Sequence, residues 1–380
     1  MISLTRLLLG LPTPGDSLRY GPTSHRRPVV VWNLTRRCNL FCIHCYAEAR
    51  GDGTGELTTA QGKALLDSLG RYGVPVVLFS GGEPLLREDL PELVAHAAQR
   101  GIRPVISTNG TLLTKNLALA LKKAGASYMG VSLDGTEGAH DRFRGKAGAF
   151  RQALEGLRQV REAGMRTGVR FTITRHNAPQ VPDLFHLAKE EGIDRLCFYH
   201  LVYSGRGSRL VEWDLPPAQT RDLMDLIFQR TRWLNQDDGV REVLTVDNHT
   251  DGVYLYLKLP DRAVAAQVYQ ELARNGGNSS GVGIGAIDEL GFVHPDQFWR
   301  HYSLGNVLER DFAAIWEDGS DPLLRGLKDR RGLLQGKCGR CRYLQLCNGN
   351  FRVRAEAVTG DVWAPDPACY LTEEEVAPAP

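Results

Sequence analysis

The sequence predicts an α/β protein built around a parallel sheet. Between residues 28 and 201, short β-branched or apolar runs alternate with amphipathic stretches of helical period, about six times over. A helical stretch fills every gap between the runs and no long hairpin signal interrupts them, as expected for parallel strands joined by crossovers. A barrel-like sheet and a doubly wound open sheet both have this rhythm, so the pattern leaves both open.

Six strands are predicted, over residues 28–33, 74–79, 103–107, 128–132, 168–174 and 195–201. Helices are predicted over residues 58–71, 90–100, 217–234 and 261–274. Beyond Gly205 the alternation of strands and helices does not continue. We therefore divide the chain into an N-terminal extension (1–27), a core (28–210), a helical linker region (211–280), a smaller C-terminal domain (281–372) and a disordered tail (373–380).

Composition restricts the class of protein. The chain has 380 residues, of which 42% are hydrophobic and 24% charged, with a formal net charge of +2. This balance is typical of a folded enzyme and provides too little positive charge to indicate a nucleic-acid partner. The apolar run after Arg6 is too short for a signal peptide or a membrane span. We therefore expect a cytoplasmic protein without a nucleic-acid or membrane partner.

The cysteines are clustered. Three of the eight lie within residues 38–45, four lie between residues 338 and 369, and Cys197 stands alone on an apolar strand. In a reducing cytoplasm such clusters are more often metal ligands than disulfides. Cys197 is expected to be a buried core residue, because free cysteine packs as a small hydrophobe.

The first cluster, Cys38, Cys42 and Cys45, directly follows the first predicted strand. Active sites of α/β proteins are built at the carboxyl ends of strands, so this loop is well placed for catalysis. Three thiolates can hold three irons of a cubane and leave the fourth open. Structural zinc prefers four ligands, and His44 is available as a fourth, so zinc remains the alternative.

The second cluster has four thiolates, from Cys338, Cys341, Cys347 and Cys369. Four ligands close a cubane, and such a cluster would stabilise the C-terminal domain and could conduct electrons. The spacing also suits a zinc site that only holds the domain together.

The segment RRCNLFCIHCYAEA resembles the CxxxCxΦC signature of the radical S-adenosylmethionine (SAM) superfamily, with His44 in the aromatic position. The resemblance implies a partial (β/α)6 TIM-like barrel with a smaller C-terminal iron-sulfur domain. It also implies a [4Fe-4S] cluster that cleaves SAM to a 5′-deoxyadenosyl radical. The protein would supply positioning and a dry site for that radical.

The same resemblance assigns SAM contacts at three strand ends. In FSGGEPLL, Gly81 and Gly82 would let the backbone approach the ligand, and Glu83 would complement its ammonium group. The segments STNGTLL and VSLDG correspond to ribose and carboxylate contacts of the family. These segments assign Thr108, Asn109, Ser132 and Asp134 as further contacts. On the fifth and sixth predicted strands, Thr172, Thr174 and Leu201 are additional candidates.

The C-terminal cysteines resemble the auxiliary-cluster domains of this superfamily, of the SPASM or shorter Twitch kind. The chain departs from the seven-cysteine SPASM pattern, because Phe351 stands where a further thiolate would lie and GAIDELGFVHPDQFW has no cysteine. We therefore expect one auxiliary cluster, and two [4Fe-4S] clusters in the whole protein.

Segments across nearly the whole chain, including LTVDNHTDG, NGGNSSGVGIG and CNGNFRVRAEAVTGDVWAPDPACY, resemble the tetrapyrrole branch of the superfamily. The resemblance implies an iron tetrapyrrole substrate and an electron donor such as flavodoxin or ferredoxin. Within the branch the sequence is most similar to enzymes that remove two acetate side chains from 12,18-didecarboxysiroheme to give Fe-coproporphyrin III. Haem d1 enzymes, which remove propionates, are the alternative.

Two other functions are less well supported. A peptide maturase often carries an N-terminal winged domain, and a first strand near residue 28 leaves too little chain for one. A zinc-stapled binding protein would not explain the three strand-end motifs.

A polycarboxylated iron tetrapyrrole requires cationic and aromatic partners. The arginine candidates near strand ends are Arg36, Arg37, Arg142, Arg144 and Arg206. The candidates for iron ligation, proton transfer or stacking are His200, Tyr203, His249, His294 and Trp299. For any one histidine, a structural role with satisfied hydrogen bonds is the alternative.

Overall fold

A computed structural model describes residues 1–21, 27–236 and 239–378, and these form one 11-stranded sheet with helices. The order of strands is β1-β8-β7-β6-β5-β4-β3-β2-β9-β10-β11. The strands are β1 Ile2–Ser3, β2 Val29–Asn33, β3 Val76–Ser80, β4 Arg103–Thr108, β5 Tyr128–Ser132, β6 Arg166–Thr172, β7 Arg195–Tyr199, β8 Glu242–Val246, β9 Ile284–Ile287, β10 Phe292–His294 and β11 Gly305–Asn306. All six predicted strands are confirmed, with ends shifted by at most a few residues.

The helices alternate with the strands in the first half of the chain and dominate the second half. They are α1 Leu4–Leu9, α2 Asp16–Tyr20, α3 Thr59–Tyr72, α4 Leu90–Gln99, α5 Lys115–Lys123, α6 Glu137–Arg144, α7 Ala149–Glu162, α8 Val181–Glu190, α9 Pro217–Leu234, α10 Thr250–Lys258, α11 Arg262–Asn275, α12 Phe312–Trp316, α13 Pro322–Lys328, α14 Gly336–Gly339, α15 Leu344–Cys347, α16 Arg352–Thr359 and α17 Glu373–Val376. The four helices predicted from periodicity are confirmed as α3, α4, α9 and α11. None of the helices in the described ranges is both long and apolar enough to cross a lipid bilayer.

The strand order decides between the two sheet types that the sequence left open. Strands β2 to β8 are parallel and lie side by side in chain order, without a reversal. A doubly wound sheet would need a reversal to place helices on both faces. Successive helices instead pack in one layer, α3 on α4, α4 on α5 and α5 on α7. The core is therefore a partial barrel, as the resemblance implies.

Helix α3 shows how the sequence specifies these elements locally. Thr58 caps its first turn in a capping box with Gln61, and Gly73 ends it in the left-handed region at φ 85°. A Cβ at Gly62 would lie 2.8 Å from the Trp32 ring, so glycine permits α3 to approach β2 closely.

The expectation that residues 211–280 form a helical linker is wrong in one respect, because β8 lies there. All five of its residues are buried, and it pairs parallel to β7. Strand β1 pairs antiparallel to β8 and brings the N-terminal extension onto the sheet. Glu242, at the start of β8, is buried in ion pairs with arginines. The pattern of apolar residues in the sequence does not indicate a charged residue at a buried position.

The C-terminal domain adds β9 beside β2 in parallel, followed by antiparallel β10 and β11. In the motif NGGNSSGVGIG, Gly277 adopts φ +73°, and a Cβ there would lie 2.3 Å from the Cys347 backbone. The Arg330 guanidinium donates to the Asn278 side chain at 2.7 Å and to the Ser280 carbonyl at 2.8 Å. These contacts hold the glycine-rich motif against the segment that carries the second cysteine cluster.

The tail differs from the expected disorder over residues 373–380. Residues Glu373–Val376 form helix α17, which begins with a capping box of Thr372 and Glu375 and buries Val376. Of the expected segments, residues 22–26 in the N-terminal extension, 237–238 in the linker region and 379–380 in the tail lie outside the described residues.

Candidate active site

A cavity of about 150 Å³ opens at the carboxyl ends of the barrel strands, and the first cysteine cluster lines it. Cys38, Cys42 and Cys45 all face this space, from the loop that follows β2. Two backbone hydrogen bonds hold the loop against the end of α6, from Phe41 to the Arg144 carbonyl and from Ile43 to the Phe143 carbonyl, each 3.1 Å. The sheet therefore brings the three thiols to one side of the cavity, which we call the upper cavity.

The three thiols suit an iron-sulfur cluster chemically. Burial raises the pKa of Cys38 to about 12 and also raises that of Cys42, so free thiols here would stay protonated. A bound metal would deprotonate them. Arg144 Nη1 donates to Cys42 Sγ at 3.5 Å, and its positive charge favours the thiolate. Cys38, Cys42 and Cys45 are thus the residues that would hold three irons.

The glycines after β3 lie against the cysteine loop. The Gly82 amide donates to the Thr35 carbonyl at 2.7 Å, and a Cβ on Gly82 would lie 2.2 Å from the Arg37 carbonyl oxygen. Gly81 has φ +134°, a conformation that side chains rarely permit. Both glycines line the upper cavity, so a ligand can approach their backbone.

Glu83 is fully buried and is not among the residues that line the cavity. Its carboxylate accepts from Thr108 Oγ1 at 2.6 Å, from the Asn109 amide at 2.8 Å and from the Leu85 amide at 3.1 Å. Burial raises the pKa of Glu83 to about 7. Its side chain ties the end of β3 to the end of β4, whereas Thr108 and Asn109 line the cavity themselves.

Asp134 is also fully buried and forms an ion pair with Arg144. Its other oxygen accepts from the Thr172 amide at 2.8 Å. Asp134 thus positions the Arg144 guanidinium, while Ser132 and Thr172 line the cavity. Thr174, by contrast, is fully buried and bonds to Asn177.

The five arginine candidates separate into two groups. Arg144 and Arg206 line the upper cavity, and Arg206 Nε donates to the Cys42 carbonyl at 2.8 Å. The other three lie outside it. Arg36 pairs with Glu289 and Arg37 with Glu56, each at 3.8 Å, and Arg142 is exposed on α6.

Of the histidine and tyrosine candidates, only His200 lines the upper cavity. Its Nε2 bonds to Asp251 at 3.0 Å. Burial opposes the protonation of His200, but Asp251 outweighs it and raises the pKa. His249 lies at a second cavity within the barrel, and burial lowers its pKa well below the usual value.

The remaining candidates have structural partners. Tyr203 donates to Asp214 at 2.7 Å. His294 contacts the Tyr302 carbonyl at 2.8 Å and Asp288 at 3.3 Å. Trp299 is fully buried and stacks on His301. None of the three lines a described cavity.

Two charged residues of the cavity were missed by the sequence analysis. Arg170 lies in the apolar run of β6, and Asp247 directly follows β8 within LTVDNHTDG. Asp247 had the same signal as the predicted contacts, a polar residue at a strand end, but β8 was not predicted. Arg170 had no local signal, because charged residues within strands usually face solvent.

The four C-terminal cysteines surround one small cavity of about 20 Å³, next to the first turns of α10. Burial raises the pKa of Cys341, Cys347 and Cys369. The structure thus brings together the four thiols that the sequence grouped. In the described part of the chain, no group of three or more His, Cys, Asp or Glu side chains is spaced to hold a single metal ion.

Cys197 is buried on β7 at 4% exposure, as expected of a core residue. It packs with Leu244 and Val246 of the neighbouring strand β8.

Known proteins resemble this chain in sequence. The model of the radical SAM superfamily matches residues 32–188. Fe-coproporphyrin III synthase of Methanosarcina barkeri is 54% identical, over 99% of this chain and 99% of that protein. Pre-heme d1 synthase of Dinoroseobacter shibae is 43% identical over 97% and 91%, respectively. An AdoMet-dependent heme synthase of M. barkeri is 32% identical over 90% and 95%.

Solved structures share the fold. SuiB of Streptococcus suis bound to S-adenosylmethionine superposes with a TM-score of 0.70, at 21% identity, over 90% of this chain and 77% of that chain. The AdoMet-bound anSMEcpe superposes with a TM-score of 0.69, at 18% identity, over 90% and 94%. With the full-length relatives, these matches show that the chain belongs to the radical SAM superfamily of enzymes, whose members use a [4Fe-4S] cluster and SAM.

Proposed function

We propose that this enzyme removes two acetate side chains from 12,18-didecarboxysiroheme to give Fe-coproporphyrin III. The observation that carries the proposal is the 54% identity to Fe-coproporphyrin III synthase, which extends over 99% of both chains. The identity to pre-heme d1 synthase is lower, at 43%. The cationic residues of the upper cavity, among them Arg144 and Arg206, suit a substrate that carries several carboxylates.

Cys38, Cys42 and Cys45 would hold the catalytic cluster in the upper cavity. The bound cluster and SAM supply the 5′-deoxyadenosyl radical that abstracts a hydrogen atom from the substrate. Arg144, next to the Cys42 sulfur, is placed to pair with the carboxylate of SAM. Gly81 and Gly82 give the ligand room to approach their backbone.

Apolar side chains form part of the wall of the upper cavity. Leu40, Leu201, Val202 and Phe298 are buried side chains that line it. Phe298 belongs to the C-terminal domain and packs edge-on against Phe351 of the same domain, with ring centroids 5.7 Å apart. The C-terminal domain thus contributes to the wall of a space in which a primary radical must be shielded from solvent.

For the C-terminal site we propose a second [4Fe-4S] cluster, held by Cys338, Cys341, Cys347 and Cys369. The convergence of these four thiols on one cavity supports full ligation. An electron donor such as flavodoxin or ferredoxin would reduce the enzyme, because SAM cleavage requires one electron.

The proposal is tested by the product. The reconstituted enzyme is incubated anaerobically with SAM, a reductant and 12,18-didecarboxysiroheme, and the tetrapyrrole product is analysed by mass spectrometry. We expect the mass of Fe-coproporphyrin III, corresponding to the loss of two acetate side chains.

The Cys42→Ala variant is the negative control, because it lacks one ligand of the catalytic cluster. Loss of propionates would instead assign the enzyme to the pre-heme d1 reaction. An unchanged tetrapyrrole, under conditions in which SAM is cleaved, would contradict both reactions.

A further inference from the structure

Arg170 on β6 is a cation in the barrel interior that forms no ion pair with the described residues. It is partly buried, and it lines the upper cavity. Its guanidinium lies over the ring of Tyr199, 4.7 Å from the centroid. Among the described residues it forms no ion pair and no hydrogen bond through its side chain.

Other arginines in this core have partners. Arg144 pairs with Asp134, and Arg195 pairs with Glu242. In the upper cavity, Arg206 donates to a backbone carbonyl and lies over the Phe41 ring at 4.2 Å. Arg170 is therefore the cavity arginine that forms neither an ion pair nor a side-chain hydrogen bond among the described residues.

The groups around Arg170 neutralise its charge only in part. The titratable groups that act on it are Tyr199, Cys197, Tyr128 and Tyr46, together with the Asp247 carboxyl, which lines the same cavity. Burial raises the pKa of the three tyrosines and of Cys197, so these are neutral near pH 7, and it raises that of Asp247 to about 7, so this carboxyl is only partly ionised there. Placing a guanidinium inside a protein without an ion-pair partner costs free energy, which a bound anion would recover.

The place of Arg170 in the barrel defines what can reach it. A second cavity, of about 540 Å³, extends from the upper cavity's floor towards the amino ends of the strands, and we call it the lower cavity. Three residues, Leu78, Arg170 and Tyr199, line both cavities. Arg170 thus lies at the boundary between the site of the cysteine loop and the larger space below it.

Arg144, not Arg170, is the arginine that we assign to SAM. SAM has one carboxylate, and Arg144 stands beside the cysteine loop, 3.5 Å from the Cys42 sulfur. Arg170 forms no hydrogen bond with that loop among the described residues. A carboxylate of the substrate is therefore the anion that suits Arg170.

We propose that Arg170 binds a side-chain carboxylate of the substrate and thereby orients the macrocycle. This inference rests on the proposed function, because it needs a substrate with several carboxylates. A guanidinium can bind a carboxylate with two parallel hydrogen bonds, which fixes orientation as well as position. The cation–π contact with the Tyr199 ring, 4.7 Å from the centroid, restricts the position of the guanidinium before the substrate binds.

The test compares wild-type holoenzyme with Arg170→Gln and Arg170→Lys. Each is titrated anaerobically with 12,18-didecarboxysiroheme, followed by tetrapyrrole absorbance, and separately with SAM. We expect Arg170→Gln to weaken tetrapyrrole binding by about tenfold or more, since a charged hydrogen bond is lost, and to leave the Kd for SAM unchanged. The tetrapyrrole affinity of Arg170→Lys should lie between those of the wild type and Arg170→Gln. Arg151→Gln, an exposed arginine on α7, is the matched control.

Each outcome decides something. A weaker affinity for SAM with unchanged tetrapyrrole binding would overturn the inference in favour of a SAM contact. Equal affinities in all variants would overturn it as well. If the wild type binds no iron tetrapyrrole, the proposed function fails, and this inference fails with it. If Arg170→Gln does not fold, as judged by iron content and circular dichroism, the Arg170→Lys variant carries the same comparison.

Discussion

Asp247 contributes a carboxyl group to the upper cavity. It is a non-glycine residue at φ +66°, a conformation that costs free energy unless neighbours hold it. Arg354 provides that support, because its Nη2 donates to the Asp247 carbonyl at 2.9 Å. The Asp247 side chain faces the cavity, and no hydrogen bond to it is found in the described part of the chain. Burial raises the pKa of Asp247 to about 7.

This pKa leads to a pH-dependent prediction. In the proposed reaction, a side chain that leaves as a radical must gain one electron and one proton to become acetate. The reductant supplies the electron, so a closed cavity needs a source for the proton. With a raised pKa, Asp247 is protonated below about pH 7 and loses its proton above it. We expect product formation at saturating SAM to decline as the pH rises above 7. Asp247→Asn should lower the rate by about a hundredfold and remove this decline.

The measurement is the initial rate of product formation between about pH 6 and 9. Asp222→Asn, which changes an exposed carboxylate on α9, is the control. An Asp247→Asn enzyme with the wild-type rate and pH profile would exclude this role.

Strand β8 depends on a charged network at its first residue. Glu242 is fully buried, and its carboxylate contacts Arg19 of α2 at 2.7 Å, Arg166 of β6 at 3.0 Å and Arg195 of β7. Burial opposes the ionisation of Glu242, but these arginines outweigh it and lower the pKa to about 2. The network therefore joins β8 to α2, β6 and β7, and it holds the N-terminal segment on the sheet.

Glu242→Gln should destabilise the protein. Because the pKa is lowered on folding, the ionised carboxylate stabilises the fold above its ordinary pKa of 4.5, and this contribution is lost as the pH falls from there to about 2. We expect the free energy of unfolding at pH 7 to decrease by about 3 kcal/mol. The variant should also lose less stability than the wild type between about pH 5 and 3.

Urea unfolding, followed by circular dichroism at each pH, measures both effects. Glu155→Gln changes an exposed carboxylate on α7 and should have little effect. Equal unfolding midpoints for Glu242→Gln and the wild type at pH 7 would contradict the role of the network.

Across the whole molecule, the C-terminal domain is fastened to the catalytic ends of the strands. The guanidinium of Arg354, on α16, is fully buried and pairs with Asp366 at 2.8 Å. It also donates to the carbonyl of Leu201, just after β7, at 2.9 Å, as it does to that of Asp247 after β8. Helix α16 therefore connects the segment that carries the second cysteine cluster to the ends of β7 and β8.

The two cysteine clusters predict the iron content. Anaerobically reconstituted wild-type protein should contain about eight irons per chain, since two cubanes are expected. Both Cys42→Ala and Cys347→Ala should contain about four, because each removes a ligand from one cluster only. Cys197→Ala should retain the wild-type content. Iron and zinc are measured in the same samples. Stoichiometric zinc in the wild type, together with an unchanged iron content in Cys347→Ala, would refute the auxiliary iron-sulfur cluster.

The features predicted correctly from the sequence are those encoded by nearby residues. The six strands between residues 28 and 201 and helix α3 follow from periodicity and capping, which need only local contacts. The grouping of the cysteines follows from their spacing.

Long-range contacts decided the rest. The order of strands, which makes the sheet a partial barrel, depends on pairing between distant segments. So does the place of β8, whose first residue is buried by arginines from other elements. Local sequence also does not show which side chains line the cavity. Glu83 instead bonds to Thr108, whereas Arg170 lines the cavity.

The sequence by itself thus determined the superfamily, the cysteine sets and the local turns, because each depends on residues close together in the chain. Only the tertiary structure decided that Arg170 and Asp247 share a cavity with Cys38, Cys42 and Cys45. The physical reason is that the burial and partners of a charged group depend on which distant strands surround it, and spacing along the chain does not specify this.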